Sequence, residues 1–207
     1  MREEWAIQAI QKKWLKISRF KELNDPFELS CINLRDKNMR NFNIKSIDVL
    51  NNTYGVISFS EDYKSPLMWS HYADDHKGIC LGFDVDENDL IKVRYRKDRV
   101  KLDDKDRLTK KDALDIFAVK FNGWSYEKER RIIPALINSH RSNGKYFELF
   151  SEKMRLTEVL IGVKCNQTKE YFQGLTRDFD ENFPPVRVHK LSLAVTKFGI
   201  TKTIHKV

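Results

Sequence analysis

The chain has 207 residues, 41% hydrophobic and 12% aromatic, which is enough apolar material for a buried core and excludes a disordered chain. Its net charge of +8 at pH 7 favours an anionic partner, either nucleic acid or a phosphorylated ligand. No apolar run approaches the roughly 18 residues a membrane span needs, Met1-Arg2-Glu3-Glu4-Trp5 lacks the apolar core of a secretion signal, and Cys31, Cys80 and Cys165 form no C-x-x-C pair, so the expectation is a cytoplasmic protein without membrane contact, disulfides or a cysteine metal cluster.

In chain order, Trp5, Ala6, Ala9, Ile10 and Trp14 recur near helical spacing, with Glu3 and Glu4 ahead of Lys12 and Lys13, and predict a helix over 3–14. Leu15, Ile17 and Arg19 begin a strand-like alternation. Asn24-Asp25-Pro26 signals a turn. Residues 28–52 are mixed and polar and read as one helix with loops. Tyr54–Phe59 reads as a strand. Pro66 opens a short helix through Tyr72, Gly78 ends the polar segment after it, and Ile79–Val85 is a buried strand. Asp86–Asp89 is a cap or turn, and Ile91–Tyr95 is a strand with alternating cations.

Residues 100–112 are dense in Lys and Asp and read as a charged loop, followed by a helix over 111–121. Trp124–Pro134, Tyr146–Phe150 and Glu158–Val163 read as strands. Gln167–Glu181 reads as an amphipathic helix with Tyr171, Leu175 and Phe179 on one stripe, broken by Pro184-Pro185. Two strand candidates close the chain, Val186–Leu193 and Lys197–Ile204, so 166–207 is a helix and a two-strand tail. Strands outnumber helices without alternating regularly with them. The expectation is one α+β domain over 1–207, with a mixed, mostly antiparallel sheet or sheets and peripheral helices.

Three constellations could carry chemistry. The first is Leu23-Asn24-Asp25-Pro26-Phe27-Glu28. Here Asn24 and Asp25 can cap the turn with their own side chains, or can face a pocket together with Glu28. The second is Met68–Gly78, which combines Trp69, His71, Tyr72, Asp74, Asp75, His76 and Lys77: rings to stack a ligand and polar groups to orient it. Trp69 and Tyr72 share a helix face and would serve a core equally well. His71 and His76 lie five apart and miss the H-x-x-x-H spacing, so no metal is expected.

The third is Trp124–Arg131. As one strand it would put Ser125, Glu127, Glu129 and Arg131 on a single face, with neighbouring carboxylates about 7 Å apart. Two carboxylates and an Arg suit a ribose or phosphate ligand, or the stabilisation of a cation. They also suit a salt-bridged sheet edge. No Walker loop, G-x-G-x-x-G or G-x-S-x-G is present. The basic run Arg94, Arg96, Lys97, Arg99 and Lys101 is a candidate nucleic-acid surface.

These blocks, together with Ser58-Phe59-Ser60, Val159-Leu160-Ile161-Gly162 and Lys197-Phe198-Gly199-Ile200, resemble a bacterial and phage family catalogued as a domain of unknown function. That family in turn looks like a remote relative of the ADP-ribosyltransferases. The resemblance implies NAD as cofactor, held in a cleft between two small antiparallel sheets. It implies that Glu127 or Glu129 is the carboxylate that grips the nicotinamide ribose, and that Ser58 or Ser60 is the middle-strand serine. Trp69 or Tyr72 would be the stacking aromatic and His71 a further catalytic residue, with His76, Lys77, Tyr126, Asn24, Asp25 and Glu28 shaping the pocket and Arg131 pairing with phosphate. It also implies a toxin or anti-phage effector acting on nucleic acid or protein. Members often open with a strand carrying an aromatic-His pair ahead of the first helix, whereas this sequence opens within that helix. The other readings are a nucleic-acid-binding module or nuclease, and a non-catalytic partner-binding domain.

Overall fold

Met154–Ile161 alternates apolar side chains between two faces, and a strand with both faces apolar has to be covered on both. The computed structural model, which describes residues 1–29, 45, 47–100, 116–177, 179 and 183–203, shows how this is met. The architecture is α+β with mostly antiparallel strands and peripheral helices, as the sequence predicts. The chain falls into two compact units. One comprises Met1–Leu15, Asp62–Asn88 and Leu149–Val207. The other comprises Lys16–Glu61 and Asp89–Glu148.

In the first unit the long strand is β10 (Met154–Ile161), inside a sheet of order β12-β11-β10-β3. Its neighbours are β3 (Ile79–Val85), β11 (Arg187–Leu193) and β12 (Ile200–Lys202). Only β10 and β11 run parallel. On one sheet face Val159, Ile161, Ile79 and Val188 pack with Ala6 and Ile10 of the first helix (Glu3–Lys12) and Phe172 of the C-terminal helix (Lys169–Thr176). On the other face Leu160, Leu191 and Ile200 pack with Trp69 and Ala73, at the end of a helix over Pro66–Tyr72. Pro66 sits at the helix start, where its missing N–H is harmless.

Among the described residues the second unit holds two small sheets and most of a third. One has the order β2-β7-β4 and is antiparallel: β2 (Ile57–Ser60), β7 (Glu129–Ile132) and β4 (Ile91–Lys92). A parallel pair joins β5 (Arg94–Arg96) to β6 (Val119–Phe121). The third has the order β1-β9-β8. It takes in β9 (Lys145–Leu149), β8 (His140–Ser142) and β1 (Trp14–Ile17), within which the chain passes from one unit to the other. Phe20, Leu50, Val56, Phe117 and Val119 form this unit's core, and the Phe20 and Phe117 rings stack 5.1 Å apart.

Several elements differ from the sequence reading: the strand expected over Ile91–Tyr95 is divided between β4 and β5, and β8 was not expected. The expected helix over 111–121 gives way to β6 from Val119 onward. The expected strand over 124–134 begins only at Glu129, after a 3-10 helix over Asn122–Glu127. In the C-terminal helix the inward residues are Phe172 and Thr176, while Tyr171 is 42% exposed. Leu175 and Phe179 of the expected stripe pack against the same core, so Tyr171 alone departs from it and Phe172 takes its place. Most of the expected helix-and-loop stretch over 28–52 and of the charged loop over 100–112, with Cys31 and Lys101, lies outside the described residues. Among the described residues no helix is long and apolar enough to cross a membrane.

Truncating Phe172 to Ala should cost about 3–5 kcal/mol, whereas Tyr171→Ala should cost about 1 kcal/mol or less. Urea unfolding followed by circular dichroism checks the pair, and equal losses would mean that the face is misassigned.

Candidate functional site

The site is built on one short turn. Phe121 is extended, the chain then coils over Asn122–Glu127, and Lys128 takes a left-handed conformation with φ 46°. The turn delivers the chain into β7, whose Glu129 pairs with Ser60 and whose Arg131 pairs with Ser58 on β2. Glu129 and Arg131, two apart on the strand, point to one face and are buried. Arg130 points the other way and meets Glu61 at 2.5 Å. The turn at Lys128 brings the buried Glu127 into the same cluster.

Arg131 is the hub. Its side chain is fully buried. Nε donates to Glu129 Oε1 at 2.7 Å and Nη2 to Glu129 Oε2 at 3.1 Å. Nη1 donates to Glu28 and, at 3.0 Å, to the Phe117 carbonyl. Glu129 receives two further donors, Ser58 Oγ at 2.6 Å and Lys120 Nζ at 3.0 Å. Lys120 also donates to Glu127 at 2.5 Å and lies over the Trp124 ring, 5.3 Å from its centroid. Ser60 Oγ donates to the Glu127 carbonyl at 2.7 Å, and the Glu129 N–H donates to the Tyr95 hydroxyl oxygen at 2.8 Å. Ser58 and Ser60 are themselves exposed, so β2 forms the solvent-facing lip of a buried ionic cluster.

These neighbours set the charges. Burial works against the Glu129 carboxylate, but Arg131, Lys120 and the Ser58 hydroxyl outweigh it and hold its pKa down at about 2. Burial likewise opposes the Lys120 ammonium, and Glu129 and Glu127 outweigh it, so Lys120 stays above the ordinary lysine value. For Glu28 burial wins over Arg131 and pushes the carboxyl up. Its Oε2 and Asp25 Oδ2 are buried without a hydrogen-bond partner. Asp25 Oδ1 accepts from the Phe27 N–H at 2.9 Å, closing the turn that aims Glu28 at Arg131.

Of the residues singled out in the sequence, Asp25, Glu28, Ser58, Ser60, Tyr126, Glu127, Glu129 and Arg131 belong to the second unit, as does the exposed Asn24. The Tyr126 ring lies 6.1 Å from that of Trp124. Trp69, His71, Tyr72, His76 and Lys77 belong to the first unit. There Trp69 is core, and its indole N–H donates to the Tyr63 carbonyl at 2.6 Å. His71 is exposed, with its ring 6.2 Å from that of Tyr72.

Asp74, Asp75 and His76 form a tight left-handed turn with φ of 47°, 51° and 72°. The Lys164 N–H donates to the His76 carbonyl and the Gly162 N–H to the Gly78 carbonyl, both at 3.0 Å. A Cβ on Gly162 would collide with both carbonyls. The backbone of this block turns the chain from the Pro66 helix into β3.

Lys120 and Tyr95 were not singled out as site residues in the sequence. For Lys120 the readable signal was Val119-Lys120-Phe121, apolar residues on either side of one cation, which is strand alternation inside a segment read as helix. Among the described residues no group of three or more His, Cys, Asp or Glu side chains is placed to hold a metal ion.

Residues 68–132, about a third of the chain, match the model of a family described as Protein of unknown function (DUF2971). No curated protein and no solved structure matches the chain.

The depressed Glu129 pKa fixes a pH dependence. A folded-state value of about 2, against an ordinary 4.5, means that the stabilisation is complete above about pH 4.5 and drains away as pH falls toward 2. Its full size is on the order of 3 kcal/mol. Glu129→Gln should therefore lower the urea midpoint most at neutral pH, and the gap to wild type should shrink through this window. A gap independent of pH would contradict the assignment.

Proposed function

We propose that the second unit catalyses NAD-dependent ADP-ribosyl transfer to nucleic acid or protein, as a toxin or defence effector would, with Glu129 as the charge-stabilising carboxylate. The observation that carries this reading is the Ser58 hydroxyl on the Glu129 carboxylate, across adjacent antiparallel strands, at 2.6 Å. An exposed serine on a buried carboxylate held ionised at neutral pH combines access with fixed charge. The resemblance assigns the same two roles to a middle-strand serine and a late-strand glutamate.

The reaction breaks the bond between the ribose C1′ and nicotinamide, whose nitrogen keeps the electron pair, and joins C1′ to an acceptor atom that gives up its proton. What the chain contributes is electrostatic. A carboxylate held ionised at neutral pH and unable to reorient favours positive charge developing nearby. Arg131 and Lys120 lock Glu129 in place, and Ser58 offers an exposed hydroxyl on it. Glu127, before the left-handed Lys128, is tied to the same Lys120 and stands ready to orient an acceptor.

Nicotinamide release from NAD by the purified chain tests this. Glu129→Gln and Glu127→Gln should each lower turnover by about 100-fold or more, and Ser58→Ala by about tenfold. Glu129→Gln also leaves Arg131 short of a partner, so circular dichroism must first show that the variant is folded. Ser58→Ala removes one hydrogen bond to Glu129 but leaves Arg131 paired, and keeps the test sound if Glu129→Gln unfolds. Full turnover in folded Ser58→Ala and Glu127→Gln, or none in wild type, would sink the reading and leave the cluster structural.

A further inference from the structure

Charge is divided very unequally between the two units. The second carries 23 Lys and Arg against 16 Asp and Glu, so it holds seven of the chain's eight net positive charges. Part of that excess surrounds a shallow cavity of about 290 Å³, lined by Phe27, Arg96, Lys97, Arg99, Lys120 and Phe121, with Val119 at its floor. Asp98 is the only acid among its described lining residues. The pairing of β5 with β6 places Arg96 beside Phe121, a cation next to a ring that is 49% exposed. The Arg99 guanidinium lies over the Phe27 ring, 5.4 Å from its centroid, and Phe27 is 52% exposed. Among the described residues none of Arg96, Lys97 and Arg99 is in an ion pair.

We propose that this cavity binds single-stranded nucleic acid, its phosphates on Arg96, Lys97 and Arg99 and its bases on the faces of Phe27 and Phe121. Exposed cations beside exposed aromatic faces are what an unpaired strand uses, because the charges follow the backbone and every base offers a face to stack. Duplex DNA hides its base faces and would leave both rings unused. A free mononucleotide gains little from a shallow site with exposed walls, where phosphate charge is screened by water and salt. A strand gains from repetition, since each neutralised phosphate releases counterions. Lys120 forms the inner wall and is already shared by Glu127 and Glu129, so the strand would lie next to the ionic cluster. That the strand is also the acceptor in the transfer reaction rests on the function proposed above; the binding itself does not.

Fluorescence anisotropy with a labelled oligothymidylate of about 12 nucleotides tests the binding across a salt series. Wild type should bind, with affinity falling steeply as salt rises. Replacing Arg96, Lys97 and Arg99 together by Ala should weaken binding more than tenfold and make the log–log salt slope shallower by about 2. Phe121→Ala should weaken binding about tenfold and leave the slope unchanged. All the altered side chains are exposed, so the fold should survive, and circular dichroism confirms it. The proposal is overturned if the triple variant binds like wild type, if a duplex of equal length binds as tightly as the single strand, or if thymidine monophosphate at equal phosphate concentration displaces the strand. Nicotinamide release measured without oligonucleotide separates the two readings. Strand binding without turnover defeats only the transferase reading, and turnover without strand binding defeats only this one.

Discussion

Everything in the second unit's site depends on burying Arg131. A guanidinium withdrawn fully from water is tolerated only when its donors are satisfied and its charge is matched. Glu129 takes two of its N–H groups, while Glu28 and the Phe117 carbonyl share the third nitrogen. Those partners come from β7 itself, from the loop closed by Asp25, and from the segment before β6. One buried charge thereby fixes three stretches of chain far apart in sequence. Removing any one carboxylate would leave Arg131 partly unpaired, a loss of about 3–5 kcal/mol for a buried pair.

The charge count of the cluster explains its unequal pKa shifts. Three carboxylates, Glu28, Glu127 and Glu129, face two cations, Lys120 and Arg131. Both cations reach Glu129, which is held ionised. Glu28 has Arg131 alone and an orphaned second oxygen, and burial pushes its pKa up. The surplus negative charge is therefore relieved most easily by a proton on Glu28. Glu129 is held ionised by both cations, and Ser58 on the exposed lip donates to it.

What could be read in the sequence follows the same physics. Period and punctuation placed the Pro66 helix, β3 and β11, because Pro at a helix start and alternation in a buried strand are local effects. The two-residue spacing from Glu127 through Glu129 to Arg131 did identify residues that meet, though for a different reason than expected. Only Glu129 and Arg131 share strand geometry, and Glu127 arrives by way of a left-handed Lys128. Nothing about a lysine announces φ 46°, since the conformation is imposed by what the turn connects. Lys120 was hidden because its own segment, following a charged loop, reads as helix, and its partners lie seven and nine residues on. The Met68–Gly78 block pointed to a pocket because Trp, Tyr, His and Asp side chains look like ligands. Three successive left-handed residues and the close approach of Gly162 are backbone facts that composition does not carry.

The second unit's cations fall into two classes that behave differently. Lys120 and Arg131 are structural charges. Each is buried among carboxylates, so neither has charge to spare for a ligand without loosening the cluster. Arg96, Lys97 and Arg99 are solvated, and their charge is available at little structural cost. On the two proposals above, affinity for an anion would come from the rim, and the orientation of anything reacting from the wall behind it. Because Lys120 belongs to both, a strand phosphate drawn to the rim would sit beside a cation already committed to Glu127 and Glu129. Attraction at that wall is weaker than a count of positive residues suggests, and the exposed Phe27 and Phe121 faces then decide between a strand with bases to stack and a simple polyanion.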